Sequence, residues 1–251
     1  ITLIIARLLK RRYFVIVYDI FPDTFVALGY LKKNNILVKL WRFLNFVGWS
    51  GARSIFTISK RMATKINEQI DTNKTYLERV KVVPIWVDTE RLIPTKKDNN
   101  NFAKKLGISD KFIVLYSGNL GKSHDIQSLL EAAKILAYKT KIVFVIIGSG
   151  EKWKYTYEYK TKNNLENLII LPFQDEKILP LSLSMADVSI VSLEKGAGDL
   201  MMPSKTYYYM SVGSAVIGIC DLESELNDLV ISADCGLTIR PENPKLLSEK
   251  I

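Results

Sequence analysis

Histidine, cysteine and long apolar runs are scarce in this chain, and each scarcity removes a class of function. His124 is the only histidine, and Cys220 and Cys235 are the only cysteines among 251 residues. So few imidazole and thiolate ligands exclude a zinc centre of ordinary type. Two separated thiols make no disulfide framework and fit a reducing compartment. No stretch of ~18 uninterrupted apolar residues occurs, so no bilayer-spanning helix is expected. Acidic pairs of the D-x-D kind, which would hold a metal-bound nucleotide, are missing. The glycine spacings match neither the dinucleotide fingerprint nor a Walker loop. Residues 1–9 are apolar but lack a following small-residue cleavage site, so they are not taken as a signal peptide. The 13 glycines have no period, and no short repeat suggests a solenoid.

A globular composition remains, 48% hydrophobic and 24% charged, with a net charge of +9. The charge is uneven. Residues 1–82 hold 15 Lys+Arg against 5 Asp+Glu, a net of +10, and residues 83–251 hold 20 against 21. A basic surface suits an anionic membrane face or a nucleic acid, or is simply a solvated face. The stretch from Lys32 to Trp49 reads as a largely apolar and aromatic helix whose charges are all positive. It suits either a membrane interface, with Trp41 and Trp49 at headgroup depth, or a core helix buried under its own domain. No helix-turn-helix, zinc-finger or stacking-platform signature supports nucleic acid.

A buried strand is expected at 13–18, ending in Asp19, and further strands at 54–58 and 80–83. A polar run, Thr95 to Asn101, follows two prolines and marks a domain boundary. From residue 111 the pattern is regular. Apolar strands at 112–116, 142–147, 168–171, 187–192, 214–219 and 236–239 alternate with helical segments at 124–137, 151–163, 175–185, 203–212 and 223–231. That alternation predicts an α/β fold, a doubly wound parallel sheet covered on both faces. Ligands of such sheets bind beyond the carboxyl ends of the strands, so the residues just after each strand are the candidates.

Those residues are glycine-rich. The first strand leads into Ser117–Gly118–Asn119–Leu120–Gly121–Lys122–Ser123–His124, the second into Gly148–Ser149–Gly150–Glu151, and the third into Pro172–Phe173–Gln174. The fourth leads into Glu194–Lys195–Gly196–Ala197–Gly198–Asp199, and then Pro203–Ser204–Lys205. Glycine turns into helix starts let backbone N–H groups approach an anion. His124 stands at such a turn, as a functional group or an incidental histidine. A lysine at a helix start opposes the dipole, so Lys205 reads as an anion ligand or a surface lysine. Together these features outline a diphosphate pocket beside a planar or sugar group.

At these residues the chain resembles the retaining GT-B glycosyltransferases of family 4, in the bacterial branch acting on capsular, exopolysaccharide or O-antigen (lipopolysaccharide) precursors. The matching stretches are Val114–Gly121, Val145–Gly150, Leu171–Gln174, Met185–Ile190, Pro203–Lys205 and Tyr209–Gly213 in the second part. Tyr18–Asp23, Ala27–Gly29 and Ile85–Asp88 match in the first. The resemblance implies two Rossmann-like doubly wound domains, the N-terminal one incomplete, in a chain truncated at both ends. Residues 1–83 are then the second half of an acceptor-side domain, 84–101 an interdomain linker, and 102–251 the nucleotide-sugar-binding domain.

It also implies roles. Gly118, Asn119 and Gly121 lie against the phosphates and the transferred sugar, with the Gly148 and Gly150 turn beside them. Phe173 and Gln174 sit at the nucleobase edge. Gly196, Gly198 and Asp199 face the sugar, Ser204 and Lys205 the diphosphate, and Asp19 the acceptor or the sugar. Asp19 and Lys205 are the implied catalytic residues. Departures from the family pattern fall on Asn119 and His124, where Arg and Lys are usual, and on Tyr208, where the second acidic residue is usual; the first falls on Leu200 or, with a gap, on Glu194. Lys122 or His124 is expected to help Lys205 with the phosphate charge.

The expected activity is metal-independent, cofactor-free transfer of a hexosyl or N-acetylhexosaminyl group from a UDP- or GDP-linked sugar to a lipid-linked saccharide, with retention. The expected place is cytoplasmic, peripheral at the inner face of the cell membrane through the basic N-terminal third, with no nucleic acid partner. The alternatives are a non-catalytic GT-B-like scaffold or membrane-docking protein, and a nonhydrolysing sugar-nucleotide epimerase.

Overall fold

A computed structural model of the chain describes residues 5–6, 8–70 and 79–251. Residues 1–4 and 7 of the apolar N-terminal stretch lie outside the described residues. The chain divides into two compact units, Ile1–Ile85 with Gly196–Met202, and Trp86–Lys195 with Pro203–Ile251.

The first unit holds a parallel sheet in the order β1 (Phe14–Val17), β2 (Ser54–Thr57), β3 (Val80–Val82). β1 alternates: Val15 and Val17 are buried, while Phe14 and Ile16 are exposed. The strand expected to be buried throughout is therefore covered on one face only by the described residues. Helix Lys60–Ile70 buries Met62, Ala63, Ile66 and Ile70, a stripe at helical spacing.

Helix Ile36–Ser50 starts where Asn35 accepts a hydrogen bond from Leu37 N at 2.8 Å. It buries only Val38, Gly48 and Trp49. Ile36, Leu37, Leu40 and Phe43 are 74%, 60%, 53% and 59% exposed. Among the described residues nothing covers most of its length, and only Val38, Gly48 and Trp49 are packed as a core helix would be. The placement of Trp49 at headgroup depth fails, because Trp49 is 5% exposed. Trp41 stays partly exposed, with Phe21 and Phe25 each about 6.1 Å away between ring centres.

The second unit is a six-stranded parallel sheet in the order β6 (Leu168–Leu171), β5 (Ile142–Ser149), β4 (Phe112–Asn119), β7 (Val188–Ser192), β8 (Ala215–Ile219), β9 (Gly236–Ile239). The chain runs outward from β4 to β6, returns to β7, and runs outward again to β9. That reversal is a topological switch point between β4 and β7. β4 and β5 run longer than the apolar pattern suggests, because Gly118 pairs with Gly148 and Asn119 with Ser149. The core between sheet and helices includes Tyr116, Leu120, Leu129, Phe144, Ile146, Ile190 and Ile217. A final helix, Pro244–Lys250, was not legible as a periodic segment.

Two polar ties hold this unit's ends. The stretch expected as a linker contributes Lys97, whose ammonium pairs with Asp187 and donates to Lys111 O at 2.9 Å. Asp187 in turn accepts from Ile113 N at 2.7 Å. The helix after β4, Ile126–Ile135, starts two residues later than expected. Its cap is Asp125, buried, accepting from Ser128 N at 2.9 Å, Ser128 Oγ at 2.6 Å and Glu242 N at 2.9 Å. Asp125→Ala removes the cap and leaves Glu242 N without its partner. The expected loss is roughly 2–3 kcal/mol, a fall of several degrees in thermal unfolding.

Candidate functional site

The second unit's polar side chains converge past the ends of β4 and β7. Helix Lys205–Ser211 carries Lys205 at its first residue and Tyr209 one turn on. Lys205 Nζ donates to Tyr116 Oη at 2.9 Å and lies 4.0 Å from the centre of the Tyr116 ring. Tyr116 Oη donates onward to Asn119 O at 2.7 Å. Tyr209 Oη accepts from Ser117 N at 2.8 Å and donates to Ser117 O at 3.1 Å, which pins this helix to the end of β4. Among the described residues no carboxylate pairs with Lys205. Burial alone brings its ammonium down to a pKa of about 7. Burial likewise pushes the Tyr116 phenol well above its ordinary value, so it stays protonated as donor and acceptor.

The glycines here are spatial requirements. Gly148 has φ +156°, and a Cβ on it would stand 1.9 Å from Gly118 O. A Cβ on Gly118 would stand 3.0 Å from Lys205 Nζ. The Asn119 side chain sits between Gly121 and Gly150, since a Cβ on either would meet its amide within 2.9 Å.

His124 bridges the switch point. Its Nδ1 is 2.7 Å from Ser192 O, and its ring lies edge-on to Tyr116. A carbonyl only accepts, so Nδ1 carries the hydrogen and Nε2 is left as an acceptor. Burial, then the nearby Lys205 charge, lowers its pKa to about 3. The expectation that His124 adds positive charge for a phosphate is thereby corrected: the ring is neutral at any ordinary pH. Lys122 is engaged with Glu151 at 3.2 Å.

Glu194 is held by Lys152, whose Nζ donates to Glu194 Oε1 and to His124 O, both at 2.6 Å. Glu194 N also donates to Ser123 O at 2.8 Å. Lys152 is a residue that sequence reasoning missed; its position two residues past Gly150 was the available signal. Tyr116 was missed as well, because it reads as one more apolar strand residue. Ser204 is exposed and makes no side-chain cap. Phe173 is exposed, and Gln174 donates to Pro172 O at 2.7 Å. Tyr208 lies three residues after Lys205, within electrostatic range of Arg91. None of Phe173, Gln174 and Tyr208 joins the hydrogen bonds around Lys205.

Gly196, Gly198 and Asp199 belong to the first unit. There Leu200 O accepts from Ile20 N at 3.3 Å, and Asp199 pairs with Arg61 at 3.5 Å. Gly196 and Asp199 line a cavity of that unit together with Asp23, Arg42, Lys65 and Gln69. Asp19, at the end of β1, is exposed and does not line it; partial desolvation raises its carboxyl pKa.

Residues 98–251 match the family model of the glycosyl transferases group 1. The chain belongs to the glycosyl transferases group 1 family. Its relatives in that family include WbjE of Pseudomonas aeruginosa, which carries the name of a glycosyltransferase, 23% identical over 96% of this chain and 59% of WbjE. Another is WcaI of Escherichia coli (strain K12), named as a colanic acid biosynthesis glycosyl transferase, 26% identical over 97% of this chain and 60% of WcaI. The chain thus spans about three-fifths of the length of these relatives. Among solved structures, Anabaena HepE in complex with UDP and glucose superposes with a TM-score of 0.77 at 15% identity, over 99% of this chain and 63% of that one. WaaG, a glycosyltransferase involved in lipopolysaccharide biosynthesis, gives 0.73 at 14% identity over 94% and 64%. The fold of this group 1 chain is α/β with parallel sheets, as in these GT-B structures.

A single histidine makes the site's electrostatics directly readable. The one histidine Hε1 resonance should stay flat between about pH 5 and 8, where an ordinary histidine titrates near 6.5. Because the folded-state pKa is depressed, the unfolded chain takes up a proton first as pH falls. Stability should therefore decline from about pH 6.5 downward through this group. A midpoint near 6.5 would contradict the buried neutral ring.

Proposed function

We propose that this chain is the donor-binding part, with some of the acceptor side, of a glycosyltransferase in bacterial surface polysaccharide synthesis. The observation that carries the reading is the Lys205 ammonium, desolvated and without a carboxylate partner beyond the ends of β4 and β7. A diphosphate supplies the missing anion. Structures of the same fold that hold UDP or UDP-glucose support a nucleoside diphosphate sugar as donor. A UDP- or GDP-linked hexosyl or N-acetylhexosaminyl group is the proposed substrate, and no cofactor is part of this reading.

In the proposed reaction the bond between the sugar's anomeric carbon and the β-phosphate oxygen breaks. The acceptor hydroxyl oxygen bonds to that carbon on the face the phosphate leaves. The hydroxyl proton passes to a β-phosphate oxygen. Lys205 compensates the charge growing on the diphosphate, in a site that needs no reorganisation. In this reading Glu194, held by Lys152 beside the first loop, meets donor hydroxyls. The retaining course follows from the family resemblance, and a product of inverted configuration would contradict it.

The proposed acceptor is a lipid-linked saccharide, with the chain held peripherally on the cytoplasmic face of the membrane. The exposed apolar residues Ile36, Leu37, Leu40 and Phe43 and the +10 charge of residues 1–82 support contact with anionic lipid.

Two measurements test these statements. Titration calorimetry with UDP, GDP and their sugar conjugates should give binding that Lys205→Ala weakens at least roughly thirtyfold, because removing the ammonium leaves the diphosphate charge uncompensated. Unchanged binding would remove the donor reading. The chain should also co-sediment with phosphatidylglycerol-containing vesicles, and less so in high salt. Leu37→Glu with Leu40→Glu should weaken that binding about tenfold. Equal binding to neutral phosphatidylcholine vesicles would contradict the electrostatic part.

A further inference from the structure

Ser192 ends β7, is fully buried, and its Oγ makes no hydrogen bond among the described residues. A buried hydroxyl without a partner costs free energy, and folded proteins keep few of them. Its surroundings are those of Lys205. The Ser192 carbonyl holds His124 Nδ1 at 2.7 Å, and the His124 ring lies edge-on to Tyr116. The Ser192 hydroxyl itself faces Tyr116 Oη, near enough to favour a negative charge there.

That phenol oxygen is already occupied. A phenol both donates and accepts. Tyr116 Oη donates to Asn119 O at 2.7 Å and accepts from Lys205 Nζ at 2.9 Å. Ser192 therefore faces an acceptor whose place Lys205 has taken.

Lys205 is the member of this group that can leave. Its ammonium is held through one residue only, by the Tyr116 hydroxyl and by the Tyr116 ring 4.0 Å away. The Lys205 side chain keeps partial contact with solvent. Gly118 leaves the space beside Lys205 Nζ and Cε free of a side chain, since a Cβ there would stand 3.0 and 3.1 Å from them.

From this juxtaposition we infer that Tyr116 and Ser192 give Lys205 a resting place that it leaves when the donor's diphosphate arrives, the Ser192 hydroxyl then donating to Tyr116 Oη in its stead. The phenol oxygen has a donor in both states. The Ser192 hydroxyl has a partner only in the second, so meeting it favours the swing. The swing is complete once the donor is seated, and the compensating charge is in place before the sugar–phosphate bond breaks. Tyr116 and Ser192 are positioning residues that act through Lys205. The inference rests on the donor reading above.

Calorimetry with UDP at about pH 6, where Lys205 is mostly charged with or without nucleotide, tests this on variants of the full chain. Ser192→Ala removes an unmet hydroxyl, so the nucleotide-free chain should unfold at the same temperature or slightly higher. UDP binding should nevertheless weaken about fivefold. Tyr116→Phe deprives the resting lysine of its hydrogen bond and should tighten UDP binding about threefold. In the double variant Ser192→Ala should add nothing to Tyr116→Phe, because Ser192 acts only through the phenol. A second readout needs no substitution. In a chain carrying isotope-labelled lysine, the Lys205 ε-methylene signal should lie upfield of the other lysines, shielded by the Tyr116 ring, and UDP should return it to the ordinary position. UDP binding that leaves this signal upfield overturns the proposal and spares the donor reading. So does UDP binding unchanged by Ser192→Ala, or an equal loss from Ser192→Ala with and without the Tyr116 hydroxyl. Failure of the parent chain to bind UDP removes the donor reading and the proposal with it.

Discussion

A lysine ammonium placed out of water with a phenol instead of a carboxylate beside it sets the terms for the second unit. Lys205 stacks over Tyr116 and donates to its hydroxyl. That arrangement demands that Tyr116 stay protonated, which burial secures, and that Gly118 carry no side chain, because a Cβ there would crowd the ammonium. It demands that helix Lys205–Ser211 be held against the end of β4, which Tyr209 does through Ser117. It also keeps His124 neutral, since burial and the Lys205 charge act in the same direction. An ion pair at Lys205 would have been cheaper for folding. No such pair is made among the described residues, which in the proposed donor site is preorganisation for an anion that arrives with the substrate.

The first unit follows a different rule. Its cavity is walled by groups that pair with one another, Asp23 with Arg42 and Gln69, and Lys65 with Glu68. One helix, Ile36–Ser50, serves both ends of that arrangement: Arg42 joins the cavity wall, while Ile36, Leu37 and Leu40 face outward.

The parallel α/β architecture of the second unit was legible because six apolar runs alternate with helical segments, whereas the strand order was not read from the sequence. Lys205 stood out because a lysine at a helix start opposes the dipole, and its burial removes the surface-lysine alternative. Tyr116 and Lys152 did not, since a strand tyrosine looks like core and a lysine after a glycine turn looks like surface. His124 stood out by its rarity, yet its charge state depends on burial and on Lys205, neither of which spacing reveals. In the first unit, Asp19 drew notice as the residue ending a strand. Asp23, four residues on, lines the cavity, because its two partners come from helices 19 and 46 residues away. Contacts of that range leave no mark in a single sequence.

Proton uptake on nucleotide binding tests the central claim most directly. At about pH 8 a lysine with a pKa near 7 is mostly neutral, and a diphosphate beside it restores its proton. Calorimetry of UDP binding in buffers of different ionisation enthalpy should therefore register uptake approaching one proton at pH 8, abolished in Lys205→Ala. Tight UDP binding with no proton uptake would show that Lys205 is already an ordinary ammonium, and the account of a desolvated cation awaiting its anion would fail.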